Sequence, residues 1–504
     1  MELVNIFEGL TYLKPEITLG IGLLLIVLLD LFINKNKNVL HFISLAIILI
    51  TGYFVLEQSD VSKAFLPIST QTDRNFGMLT LDAFGIYFKI LVLLGSILLV
   101  FFSITSAEVK SVNNRLGEYY ALILGMLLGM MLMISASDLI MVYLSIELVS
   151  LSSYVLAGFT KLRSRSSEAA LKYLLYGGTA SGIMLFGISL LFGITGNTNL
   201  YEIHKVLISA QVNSLTFSTA IVMIFTGMAY KISAAPFHFW TPDVYEGAPI
   251  SITAYLSVAS KAAGFALLIR FVKTVFVMFS EQNGDWNLIP IFDWQTFIIV
   301  ISILTMTLGN FTALWQNNLK RLLAYSSIAH AGYLLLGLTV LSDKGILAIL
   351  IYFTFYLIMN LGAFYIVMLI ADKTGTEDIT KLKGLGHSSP FLGTALTIFL
   401  ISLVGLPPTA GFIGKFYIFV SLLDSKMILV AVIALLNTVV SLYYYIKVLK
   451  YIYLVKGDKI ETIPINYSNY IVIITLLIPT ILFGIYFTPI VNLANKCVLL
   501  LNNL

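Results

Sequence analysis

Five lysines and a glutamate stand inside stretches of this chain that are otherwise apolar: Lys89, Lys172, Lys231, Lys261, Lys415 and Glu147. A charge at the centre of a membrane helix costs roughly 2.5–3.5 kcal/mol even on lenient insertion scales. Four central ones would together cost about 10 kcal/mol, which rivals the net stability of a whole protein. Retention by chance is therefore a poor account of the set. The chemistry that such groups support is proton exchange. Burial disfavours the charged form of either type and an opposite charge nearby favours it, so a small movement can switch the balance.

The neighbours of each group refine this expectation. Lys231 ends a long apolar run, and five residues later Pro236 removes a backbone donor and disfavours helical geometry at Ala235, so the helix breaks there. Broken helices are tolerated in hydrocarbon only where protein or a water-filled cavity covers them. Lys415 follows a second interruption, Leu406-Pro407-Pro408-Thr409-Ala410-Gly411, and Lys261 lies among small and hydroxylic residues in Ser257-Val-Ala-Ser-Lys261-Ala-Ala-Gly264. Glu147 sits between Tyr143 and Leu151, one turn to either side, and pairing with a lysine on another helix is its functional reading. His330, a histidine well inside a span, has an unperturbed pKa of about 6.5 that suits a relay between lysines. Each has a structural alternative. Glu147 could be a protonated carboxyl bonded between helices, Lys231 a cap for freed carbonyls, Lys261 a structural hydrogen-bonder and His330 a packing residue. His238, just past the first break, reads as structural. Lys172 forms a local pair with Glu168 one turn away, and Lys89 snorkels toward the outer surface.

The elements that must hold these groups are membrane helices. The 504 residues are 59% hydrophobic and 11% charged, with mean hydropathy +0.94, against roughly 25% charged in a soluble domain. Apolar runs long enough to cross about 30 Å of hydrocarbon recur along the chain. The pattern predicts an all-α polytopic membrane protein of about 14 spans, in which the seventh (213–245) and the twelfth (388–423) contain the breaks. The first run follows Met-Glu and reads as a retained span, not a signal peptide. Comparison of Ser153-Tyr154-Val-Leu-Ala-Gly158 with Gly332-Tyr333-Leu-Leu-Leu-Gly337 suggests a duplication of helices 4–8 in 9–13. Five spans is an odd number, so the copies would be inverted, as in transporters. The divisions are then an N-terminal three-helix segment (1–116), a first repeat (117–277), a second repeat (278–455) and a C-terminal helix (456–504). Connections on one side hold sixteen Lys and Arg against nine on the other, which places both termini outside. The net charge of +4 reflects this topology. Cys497, the single cysteine, cannot supply the four thiolates that usually hold an iron-sulfur cluster, and no Gly-rich nucleotide fingerprint occurs.

Three stretches together resemble a known family: Lys231-Ile-Ser-Ala-Ala-Pro-Phe-His-Phe-Trp-Thr-Pro-Asp-Val-Tyr-Glu-Gly-Ala-Pro249, Asn318-Leu-Lys-Arg-Leu-Leu-Ala-Tyr-Ser-Ser-Ile-Ala-His330 and Gly405-Leu-Pro-Pro-Thr-Ala-Gly-Phe-Ile-Gly-Lys415. They are similar to the antiporter-like membrane subunits of proton-pumping NADH-quinone oxidoreductase, respiratory complex I, and resemble subunit N more than its paralogues. Lys415 stands where subunit M carries glutamate, and the long lateral helix that ends subunit L is missing. The resemblance implies a proton relay. In it Glu147 and Lys231 form the charged pair of a first half-channel, with Lys172 nearby in support. Lys261 is the central lysine, His330 a connector and Lys415 the terminal lysine. It also implies no cofactor on this chain, with FMN, iron-sulfur clusters and quinone chemistry in partner subunits, and a multi-pass location in a bacterial inner membrane. The alternative is a subunit of a multisubunit sodium/proton antiporter, in which the channel is similar and the energy source differs.

Overall fold

The computed structural model describes all residues except 1–8, 34–36, 62, 68–76, 162, 210–211, 282–283, 456–461 and 499–504. Lys35, Arg74, Lys456 and Lys459, which entered the charge count, lie outside the described residues. Among those described, thirteen helices are long and apolar enough to cross a membrane. They are α1 (Lys14–Phe32), α2 (Val39–Glu57), α3 (Ala83–Thr105), α4 (Leu116–Ser135), α5 (Leu139–Ala157), α6 (Ser164–Thr195) and α7a (Ser214–Ile232), followed by α8 (Ile250–Phe276), α9 (Trp294–Ala313), α10 (Leu319–Thr339), α11 (Asp343–Thr374), α13 (Ile428–Tyr453) and α14 (Tyr467–Ile485). The remaining span is α12, split into α12a (Pro390–Val404) and α12b (Ala410–Asp424). The seventh span is likewise split, and α7a is followed by the short helix α7b (Trp240–Gly247).

Side-chain caps set where several of these helices begin. Asp82 accepts from Gly85 N, Asp138 from Ile140 N and Asn318 from Arg321 N at the starts of α3, α5 and α10, each pairing a backbone donor that the first turn cannot satisfy. Two small antiparallel hairpins interrupt the helical pattern in the connections, Lys63–Pro67 with Gly77–Leu81 and Val277–Ser280 with Trp286–Leu288.

The helices differ in how much of them is covered. The most apolar stretch of α8 is entirely buried and that of α10 is 94% buried, against 28% for α1 and for α14. In a bilayer the peripheral helices turn Leu, Ile and Phe outward, as at Leu24, Leu31, Phe32, Leu435 and Ile485. The central helices α8, α10 and α11 contact only protein over most of their length, so polar side chains on them can find partners away from lipid.

Four charged residues behave differently from the sequence expectation. Lys320, counted in an inner connection, is buried in the first turn of α10 and donates to the Ala248 carbonyl at 2.8 Å. Lys89 does not snorkel: it is buried and pairs with Glu16 of α1 at 2.7 Å. Arg270 and Lys273, counted as outer connection residues, are buried within α8. Arg270 makes a two-pronged contact with Asp82 at 2.7 and 2.9 Å, and Lys273 meets Asp343 at 2.7 Å. Hydropathy drops at the end of a span whether a charge faces water or a carboxylate on the next helix. Composition along one strand of chain cannot separate the two cases.

Candidate proton-transfer site

The first break begins where Ser233 takes a left-handed conformation, φ 62°, and ends α7a. Two backbone groups at the break are paired by side chains. Ala235 N donates to Thr305 Oγ1 of α9 at 2.9 Å, and Trp240 Nε1 donates to the Tyr230 carbonyl at 3.0 Å. Lys231 is buried in the last turn of α7a. Its Nζ donates to Ser150 Oγ of α5 at 3.2 Å. Glu147 lies one turn from Ser150 on the same helix and accepts from Ser181 of α6. Residues three apart on a helix share a face, so the ammonium and the carboxylate address neighbouring positions on α5. Among the described residues no ion pair joins them directly.

Lys261 comes next in space. A Cβ built on Gly264, one turn along α8 from Lys261, would lie 3.7 Å from Lys231 Cγ, so the stem of one lysine crosses the helix that carries the other. A π-helical turn, Leu256–Ser260, immediately precedes Lys261; such turns often occur where a helix is shaped for function. The Lys261 ammonium is buried and donates to Ser327 Oγ at 2.7 Å and to the Ser327 carbonyl at 2.9 Å.

Ser327 belongs to α10, and so does His330, one turn on. The imidazole is 2% exposed. Its Nδ1 is 2.6 Å from Tyr352 Oη of α11, and its Nε2 is 3.5 Å from Tyr445 Oη of α13. One turn further, the ring of Tyr333 lies 4.5 Å from Lys415 Nζ. Lys415, on α12b, reaches back across the second break and donates to the Val404 carbonyl at 2.7 Å. Gly405 takes φ 87° there, and a Cβ on it would come within 2.8 Å of Lys415 Cδ.

Helix α10 thus touches the surroundings of Lys261, His330 and Lys415 in successive turns. Lys172 stands apart: its side chain is 37% exposed. It pairs with Glu168 at 2.7 Å, as its spacing suggested, and also with Asp243 of α7b at 2.7 Å. Asp243 in turn meets Arg321 at 2.6 Å. His238 is buried against Phe239 with its Nδ1 unpaired.

Sequence reasoning missed the hydroxyls. Ser150 and Ser327 lie three residues from Glu147 and His330 respectively, so helical spacing offered a signal for both. Tyr352 and Tyr445 offered none, being two of 27 tyrosines on helices remote in sequence. Among the described residues no group of three or more His, Cys, Asp or Glu could hold a metal ion.

The family described as NADH:quinone oxidoreductase/Mrp antiporter, TM, matches residues 136–441. The chain is 46% identical over 498 residues to NADH-quinone oxidoreductase subunit N 2 of Chloroherpeton thalassium, covering 97% of this chain and 94% of that one. It is 43% identical to subunit N of Chlorobium chlorochromatii, covering 95% and 93%. Among solved structures, a chain of respiratory complex I from Thermus thermophilus superposes with a TM-score of 0.77 at 28% identity, over 96% of this chain and all of that one. A chain of the Mrp complex from Dietzia shares the fold, with a TM-score of 0.79 at 19% identity and 97% coverage of each. With this similarity extending over nearly its whole length, the chain belongs to the subunit N family, the antiporter-like membrane subunits of NADH-quinone oxidoreductase.

Proposed function

We propose that protons cross the interior of this subunit along Glu147, Lys231, Lys261, His330 and Lys415, driven by electron transfer from NADH to quinone in other subunits. The observation that carries the reading is the contact series along α10. Ser327 holds the Lys261 ammonium, His330 follows one turn later, and the Tyr333 ring faces Lys415. Proton transfer needs donors and acceptors within hydrogen-bond reach or one water apart, and buried serine and tyrosine hydroxyls serve both roles. Lys172 supports the first site by tying α6 to α7b through Asp243.

The energetics are modest. Moving one charge against 100 mV requires about 2.3 kcal/mol, and a change of one pKa unit supplies about 1.36 kcal/mol. A swing of roughly two units at one lysine therefore suffices. In this reading a redox event elsewhere alters the Glu147–Lys231 interaction, and the proton held at Lys261 moves toward Lys415. The two breaks belong to inverted five-helix repeats, 117–277 and 278–455, flanked by 1–116 and 456–504. Both termini lie on the outer side of a bacterial inner membrane. Partner subunits supply FMN and iron-sulfur clusters, and quinone binds elsewhere in the complex.

The test uses membrane vesicles carrying the intact complex. Lys231→Ala and Lys261→Met should each abolish redox-driven acidification. Unchanged acidification at normal quinone turnover in either variant overturns the relay.

A further inference from the structure

We infer that Tyr352 and Tyr445 hold His330 by its two ring nitrogens, so that one nitrogen faces the Lys261 side of the relay and the other the Lys415 side. On one side a proton enters at one nitrogen, and on the other a proton leaves from the second. The inference rests on the relay proposed above.

The geometry assigns the two nitrogens to different neighbourhoods. Tyr352, at Nδ1, lies against the helix turn that carries Lys415: a Cβ on Gly414 would come within 2.7 Å of the Tyr352 ring. Tyr445, at Nε2, shares a hydrogen bond with Ser326, and the next residue, Ser327, holds the Lys261 ammonium. A neutral imidazole donates from one nitrogen and accepts at the other. Each tyrosine hydroxyl can do either, so both can follow the ring when its tautomer changes. When Nε2 takes the Tyr445 Oη proton, which is replaced from the Lys261 side, the Nδ1 proton passes to Tyr352 Oη. The proton that this oxygen held goes on to Lys415, which takes it as a neutral amine, so that no tyrosine or imidazole charge remains. The imidazole is neutral before and after, and one proton has crossed it. The ring then returns to its first tautomer before the next transfer, which requires both hydroxyls to reverse their roles.

A third tyrosine separates this role from packing. Tyr356 lies against the imidazole with ring centroids 4.9 Å apart, closer than Tyr352 at 6.0 Å, yet its hydroxyl bonds neither ring nitrogen, whose partners are Tyr352 and Tyr445. The groups facing His330 are thus Tyr333 from α10, Tyr352 and Tyr356 from α11 and Tyr445 from α13, with Lys261 on α8 and Lys415 on α12b beyond them.

The test compares Tyr352→Phe, Tyr445→Phe, Tyr356→Phe and His330→Ala in the intact complex reconstituted into liposomes. Redox-driven pumping is normalised to the amount of assembled complex and followed across pH. Tyr352→Phe is expected to lower pumping about tenfold and to move the pH profile by about half a unit or more, because one ring nitrogen loses its proton partner. Tyr445→Phe, whose contact is longer, should lower it about threefold. Tyr356→Phe should remain within about twofold of the parent at every pH. Equal losses in Tyr352→Phe and Tyr356→Phe, with an unshifted profile, would reduce the tyrosines to packing and overturn the inference. Loss of pumping in His330→Ala with normal pumping in Tyr352→Phe overturns it while leaving the relay intact. Normal pumping in His330→Ala removes the relay itself.

Discussion

At the first break the lysine lies upstream of the interruption, and at the second it lies downstream and folds back over it. Lys231 touches a serine hydroxyl on another helix, while Thr305 and Trp240 satisfy the backbone around Ser233 and Pro236. Lys415 is itself the partner of the Val404 carbonyl. The same ingredients, a proline-broken helix and a buried ammonium, give one lysine bonded to a hydroxyl on another helix and one bonded to a carbonyl of its own break. A group that must change partners is better placed in the first arrangement. A group that must hold position while a proton arrives and leaves is better placed in the second.

Replacing each lysine by methionine gives the largest expected effects and separates these roles. Both variants should lose redox-driven pumping. Lys415→Met also strands a buried carbonyl, a cost of about 1–3 kcal/mol, whereas Lys231→Met leaves only a serine hydroxyl that can turn back to its own helix. Thermal unfolding of the purified complex should therefore find Lys415→Met the less stable of the two. Equal stability would erase the distinction.

A smaller effect tests the backbone at the same two places. Gly405, at φ 87°, has no room for a Cβ beside Lys415 Cδ, while Ser233 already carries a side chain at φ 62°. Gly405→Ala should destabilise by about 2 kcal/mol, combining left-handed strain with the clash. Ser233→Gly should change stability by less than about 1 kcal/mol, since relief of strain opposes a more flexible unfolded chain. Denaturation midpoints of the two variants, each against the parent, decide this.

Both breaks were legible in the sequence because proline acts locally: Pro236 and the Pro407-Pro408 pair interrupt a helix whatever surrounds them. The buried lysines were legible because their cost in hydrocarbon requires a reason. What each lysine touches was not. Ser150 is 81 residues from Lys231 and Ser327 is 66 from Lys261, and a serine in an apolar helix has no feature that announces an ammonium across the interface. The π-helical turn before Lys261 was equally hidden, since Leu256-Ser-Val-Ala-Ser260 reads as ordinary helix. For Lys89, Arg270 and Lys273 the error had one physical origin. Each was treated as seeking water, and each had a carboxylate on another helix.

Ser150 is where the comparison can be sharpened with the least disturbance. Its hydroxyl is the hydrogen-bond partner of Lys231 and lies one turn from Glu147 on the same helix, so it bonds one of the two groups whose interaction is proposed to switch. Ser150→Ala removes an oxygen without adding volume, and the ammonium can turn toward the carboxylate or toward water. Stability should change by no more than about 1 kcal/mol, the usual net worth of such a bond. If the hydroxyl only fills space, pumping will be unaltered. If it holds Lys231 at a set distance from Glu147, pumping should fall about threefold, because a direct ion pair is harder to break than a bond to a serine hydroxyl. Reconstituted vesicles report the rate, and Ser150→Thr, which keeps the oxygen, should restore it. No corresponding variant exists at the second break, where the partner of Lys415 is a backbone carbonyl that no side-chain replacement removes.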